Sequence, residues 1–81
     1  MSNTEHLVKM ANQIEAFFRS ETDRNVAVTN ILNHIMRFWD PRMRKQIVSH
    51  LHAGGLGLGD LTLEAIQRLD LTRHKNDERQ Y

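Results

Sequence analysis

The chain predicts an all-α fold: a compact small bundle of three main helices, a short C-terminal helix and a polar tail. Three observations carry this. Apolar residues recur at three- and four-residue steps in each long segment. Capping or helix-stopping clusters stand between the segments, at Ser20-Glu21-Thr22-Asp23, at Asp40-Pro41 and from Gly54 to Gly59. No segment alternates apolar and polar residues as a half-buried strand would. The expected division is one helical domain over residues 1–71, with helices at about 4–19, 24–39, 41–53 and 61–70, and a flexible tail over 72–81.

In the first helix, Leu7, Met10, Ala11, Ile14, Phe17 and Phe18 fall within about 120° of the helical wheel, a normal core-facing stripe. Phe17 and Phe18 are expected to be its heaviest core residues. Glu15 and Arg19 form an acid-first pair four apart on the wet face, as do Glu5 and Lys9. Thr22 or Asp23 then caps a second helix. Its apolar residues, Val28, Ile31, Leu32, Ile35, Met36, Phe38 and Trp39, cover roughly 160° of the wheel, so this is the central helix, touched on more than one side.

Pro41 cannot continue that helix, because it lacks an N–H and its ring collides with the carbonyl four residues back. It can open the next one, with Asp40 as the cap. Met43, Ile47, Val48 and Leu51 make the stripe of this third helix. Arg44 projects inside the stripe and must snorkel, find an acceptor or meet a partner. Gly54-Gly55 stops the helix. Leu56 and Leu58 are expected to tuck inward. Asp60 is expected to cap the fourth helix, whose face is Leu61, Ala65, Ile66 and Leu69, with Glu64 and Arg68 paired along it. From Thr72 onward the apolar period is lost, and fraying is expected.

With 81 residues and 40% hydrophobic content, the chain supports one modest core. It contains no Cys, so it has neither disulfides nor a thiolate nucleophile. No apolar run approaches the roughly 18 residues of a membrane span, and the first residues lack the pattern of a secretory signal. The expected location is cytoplasmic. A net charge of +1 is small for a nucleic-acid binder. The charge is nonetheless uneven, because Arg37, Arg42, Arg44 and Lys45 cluster in the middle of the chain against Asp40 alone.

That cluster surrounds Phe38-Trp39-Asp40-Pro41-Arg42-Met43-Arg44, which holds the only Trp and the only Pro. Aromatics, Met and Arg together make the composition of an interface core. Two readings of the residues stand side by side. In one, Phe38 and Trp39 are the domain's own core and the arginines are solvated. In the other, the corner presents rings and guanidinium groups outward, and Phe38, Trp39, Arg42, Met43, Arg44 and Lys45 bind a partner. A small helical nucleic-acid-binding regulator, with Arg42, Arg44 and Lys45 opening a recognition helix, is the alternative from another class.

Catalytic chemistry is hard to place. Ser2, Ser20 and Ser49 sit in no nucleophile motif. The glycines from Gly54 to Gly59 follow a helix and lack the Gly-Lys-Ser/Thr ending of a phosphate loop. His50 and His52 are two apart on a helix and point to different faces, and the five histidines form no metal-ligand pattern. No catalytic, cofactor-binding or metal-binding residue is assigned.

Three stretches, in order and at matching spacing, resemble the delta subunit family of NAD-dependent, molybdenum-containing formate dehydrogenase. They are Leu7 to Ile14 followed by Phe17-Phe18, the corner Phe38 to Arg44, and His50-Leu51-His52-Ala53-Gly54-Gly55-Leu56-Gly57-Leu58 followed by Leu61 to Leu69. The likeness covers about residues 7 to 69. It implies a non-catalytic accessory subunit that supports assembly, cofactor maturation or stability of the large molybdenum subunit. The holoenzyme's molybdopterin guanine dinucleotide with molybdenum, its iron–sulfur clusters, FMN and NAD would sit on other subunits, and this chain would bind none of them. The implied partner is the large catalytic (alpha) subunit, with self-association possible when the chain is isolated.

Overall fold

The structure, a computed structural model, describes residues 3–79, with side chains as far as Thr72. Four helices follow in order: α1 (Asn3–Phe18), α2 (Arg24–Phe38), α3 (Pro41–His52) and α4 (Asp60–Arg79). No strand occurs among the described residues. α2 and α4 pack most extensively on each other, and α1 touches all three other helices. The core takes Leu7 and Ala11 from α1, Val28, Ile31 and Ile35 from α2, Ile47 and Val48 from α3, and Ala65, Ile66 and Leu69 from α4. Trp39, at the turn between α2 and α3, joins the same cluster.

The helix starts follow their capping chemistry. Asp23 caps α2, with its side chain accepting from the N–H groups of Asn25 at 2.9 Å and Val26 at 3.4 Å. Asp40 caps α3 by accepting from Met43 N–H at 2.9 Å, and Pro41 occupies the first helical position. Both satisfy donors that a helix N-terminus leaves without an internal partner. α3 ends at Gly54 and Gly55, with φ of 117° and 67°, a region that side chains with a Cβ rarely enter. The Gly55 N–H donates to the His50 carbonyl at 2.9 Å. A Cβ on Gly55 would lie 2.9 Å from Leu63 Cδ1, so close packing as well as conformation favours glycine there.

The fourth helix departs from expectation at both ends. Asp60 is not its cap: it is the first helical residue, and its carboxylate pairs with Arg24 of α2 at 2.6 Å. The cap comes from α1. Glu15 Oε1 accepts from the Thr62 N–H at 2.8 Å and from the Thr62 hydroxyl at 2.7 Å. Glu15 also accepts from Arg19 at 3.0 Å, so the predicted pair forms, but Glu15 is only 4% exposed and does not lie on a wet face. The preceding loop is held to α1 by Asn12, which donates to the Gly57 carbonyl at 2.8 Å and accepts from the Gly59 N–H at 2.9 Å. At its other end, α4 does not stop near Leu69 or Leu71 but continues to Arg79. No Gly or Pro lies between Asp60 and Tyr81, so nothing in the backbone chemistry ends it sooner. Of the flexible tail expected over residues 72–81, the side chains from residue 73 on lie outside the described residues, and Gln80 and Tyr81 lie outside them entirely.

Two apolar placements are corrected, Phe17 and Leu56. Phe17 is 77% exposed instead of anchoring the core, while Phe18 is half-buried. The buried residues of α1 are Leu7, Ala11 and Glu15, a strict four-residue row. The start of α4 occupies the Ala11–Glu15 side, which leaves the Met10–Phe17 flank at the margin of the bundle. Phe38 is 67% exposed at the end of α2, facing outward as the docking reading of the corner places it. Leu56 points outward, because the turn that follows α3 places only Leu58 against the core.

Candidate docking face

The six corner residues divide between inside and outside. Trp39 is 4% exposed and packs in the core, so the expectation that it faces outward is corrected. Its N–H donates to the Ile35 carbonyl at 3.0 Å and closes α2, which turns the indole back over the bundle. Met43 is half-buried against the core. Arg44, the charge inside an apolar stripe, resolves its conflict locally: it donates to the Met36 carbonyl at 2.9 Å, near the C-terminus of α2, where a cation is favoured. Phe38, Arg42 and Lys45 are exposed.

An aromatic row that includes Phe38 crosses from α1 to α2. Phe17 and Phe18 meet edge-on with ring centroids 4.9 Å apart. Phe18 lies 6.5 Å from the His34 ring, and His34 lies 4.7 Å from Phe38. The Arg37 guanidinium stands 5.7 Å from the Phe38 ring centroid, within cation–π reach. Beside this row is a groove of about 380 Å³ between α1 and α2, walled by Met10, Ile14, Phe17, Phe18, His34 and Trp39, with Gln13 at its edge. A second groove of about 360 Å³ lies between α1 and α3, lined by Asn3, His6, Leu7, Met10, Arg42, Met43 and Gln46. The two share Met10 and form a furrow along α1. The corner contributes to both: Trp39 walls one half, and Arg42 and Met43 wall the other.

Around the furrow, Arg37, Arg42 and Lys45 form no ion pair among the described residues. Elsewhere among the described residues, Lys9 on α1 forms no ion pair, whereas Arg19 pairs with Glu15, Arg68 pairs with Glu64 and Asn25, and Arg24 bridges Asp60 and Glu64. Those carboxylates raise the Arg24 pKa, chiefly through the Asp60 hydrogen bond. Three unpaired cations are therefore gathered at the corner, Arg37, Arg42 and Lys45.

Met10, Gln13, Phe17, Phe18 and His34 belong to this face, whereas the sequence places Met10, Phe17 and Phe18 on the core stripe of the first helix. One signal pointed to them. Adjacent residues on a helix are about 100° apart, so Phe17 and Phe18 cannot both face the centre of one core.

Two of the described histidines make polar contacts. His50 Nε2 lies 2.8 Å from the Leu56 carbonyl, and His52 Nε2 lies 2.7 Å from Asp70. Among the described residues no group of three His, Cys, Asp or Glu side chains could hold a metal ion. No helix there is long and apolar enough to cross a membrane.

A comparison with family models matches residues 6–66 to the NADH-dependent formate dehydrogenase delta subunit FdsD. No curated protein and no solved structure matches the chain. The matched span runs from His6 to Ile66, takes in both walls of the furrow and most of the core, and covers well over half of the sequence: the chain belongs to the FdsD family of formate dehydrogenase delta subunits.

Proposed function

We propose that this chain is a non-catalytic accessory subunit of a soluble, cytoplasmic NAD-dependent formate dehydrogenase. It supports assembly, cofactor maturation or stability of the large molybdenum subunit by docking to it. The observation that carries the reading is the free cation–aromatic rim, Phe38 with Arg37, Arg42 and Lys45, on a chain of the delta subunit family. Exposed aromatics beside arginines are the residues that anchor protein interfaces. In this reading Phe38, Arg42 and Lys45 make contact, while Trp39, Met43 and Arg44 hold the corner in shape. The molybdopterin guanine dinucleotide, iron–sulfur clusters, FMN and NAD sit on the partner subunits, and this chain binds none of them.

The test is affinity purification of the tagged chain from cells that express the whole complex. The double variant Phe38→Ala, Arg42→Ala should recover at least about tenfold less large subunit, a loss of about 1.4 kcal/mol of binding. Both side chains are exposed, so far-UV circular dichroism should be unchanged. Recovery of the large subunit at wild-type levels by this variant would refute docking through the corner.

A further inference from the structure

We propose that the furrow along α1 seats an amphipathic helix from a partner subunit, with its apolar face on Met10, Ile14, Phe17 and Phe18 and acidic side chains along its flank. This rests on the accessory-subunit reading above and names the chemistry of the segment that docks.

Three features specify the occupant. The first is the wall. Its α1–α2 half is mostly apolar with Gln13 and His34 as polar side chains, its α1–α3 half adds Asn3, His6, Arg42 and Gln46 around Leu7, Met10 and Met43, and no strand edge opens onto it among the described residues. An extended segment laid there would bury backbone N–H and C=O groups without partners. A helix satisfies them internally and presents a stripe of side chains, which is the helix-in-groove mode of recognition. The second is length. The two halves of the furrow together follow α1, whose 16 residues span roughly 24 Å at about 1.5 Å each. A partner helix of about four turns fits that run.

The third is charge. Arg37 stands at the Phe38 end of the aromatic row, Arg42 lines the furrow, and Lys45 neighbours Arg42 one turn along α3. None has a carboxylate of its own among the described residues. Acidic side chains on the incoming helix complete them. The same feature disfavours a second copy of this chain. A two-fold interface brings one patch against itself, so the three free cations would face their own kind.

The experiment uses the full complex and a photo-crosslinking amino acid, p-benzoylphenylalanine, placed singly at Gln13 and at Gln67. Gln13 edges the furrow, and Gln67 is exposed on α4. Crosslinks from Gln13 but not Gln67, mapping to an Asp- or Glu-bearing helical segment of a formate dehydrogenase subunit, are expected. In parallel, Arg37→Glu, Arg42→Glu, Lys45→Glu should lower recovery of the complex at least tenfold. It should also flatten the dependence of the remaining affinity on salt, because the attraction it removes is the screened one.

A Gln13 crosslink to a second copy of this chain, or to a segment without acidic residues, overturns the inference and leaves the subunit reading intact. So do crosslinks confined to Gln67, or a charge-reversed variant that assembles normally. If the unmodified chain captures no formate dehydrogenase subunit at all, both the inference and the reading beneath it fall.

Discussion

Trp39→Ala is expected to destabilise the protein by about 3–5 kcal/mol, enough to leave much of it unfolded at 25 °C. The indole is 4% exposed and packs within the cluster that includes Ile35 and Ile47. Its removal opens a cavity at the one point where α2, α3 and the furrow meet. A core in a chain this small seldom contributes more than about 3–5 kcal/mol net, so there is little reserve. Trp39→Phe, which keeps an aromatic wall, should cost much less. Urea denaturation followed by circular dichroism measures both. A cooperative transition for Trp39→Ala within about 1 kcal/mol of wild type would show that the indole is not part of the core. The paired variants also separate folding from docking: Trp39→Phe should still assemble, since it keeps the corner in place while Phe38 and Arg42 make contact.

Glu15→Ala should cost about 3 kcal/mol for a different reason. It strands the buried Thr62 N–H and hydroxyl, and each orphaned polar group costs roughly 1–3 kcal/mol. Burial by itself would raise the Glu15 pKa. The two hydrogen bonds from Thr62 outweigh it, with help from Arg19, and the net shift is downward. The sign follows. The folded state holds the carboxyl below its unfolded value, so the stabilisation is complete above about pH 4.3 and is lost as pH falls through the lower, folded value. Glu15→Gln keeps the shape and an acceptor oxygen, and should be milder than Glu15→Ala. It should also flatten the decline in stability as pH falls below about 4.3, the unfolded value. A Glu15→Gln protein with the same acid profile as wild type would assign the decline to other carboxylates. Gly59→Ala strikes the same spot, because its Cβ would lie 2.7 Å from Glu15 Cδ.

Much of the fold was legible because it rests on local chemistry. Asp40-Pro41 and Gly54-Gly55 end and begin helices by rules of the backbone, and α1, α2 and α3 fall within a residue of the expected limits. Arg44 was legible as a problem, a charge within an apolar stripe, though not its solution on a neighbouring carbonyl. Glu15 was misread because its partner, Thr62, lies 47 residues away, and a helical wheel sees only the four-residue neighbour Arg19. Phe17 was misread because periodicity places a residue on a stripe without saying how far the neighbouring helices extend across it. The docking face was half legible: the sequence marked the corner, Phe38 to Lys45, but the α1 wall that makes it a furrow exists only once α1 lies beneath the corner.

The bond from α1 to the start of α4 also orders events in time. Gly59, the residue before α4, offers no side-chain acceptor to its first turn, so that turn stays poorly nucleated until α1 arrives with its carboxylate. A later helix therefore completes its fold against an earlier one, and the amide of Thr62 should surrender its proton to deuterated solvent only when the whole molecule opens.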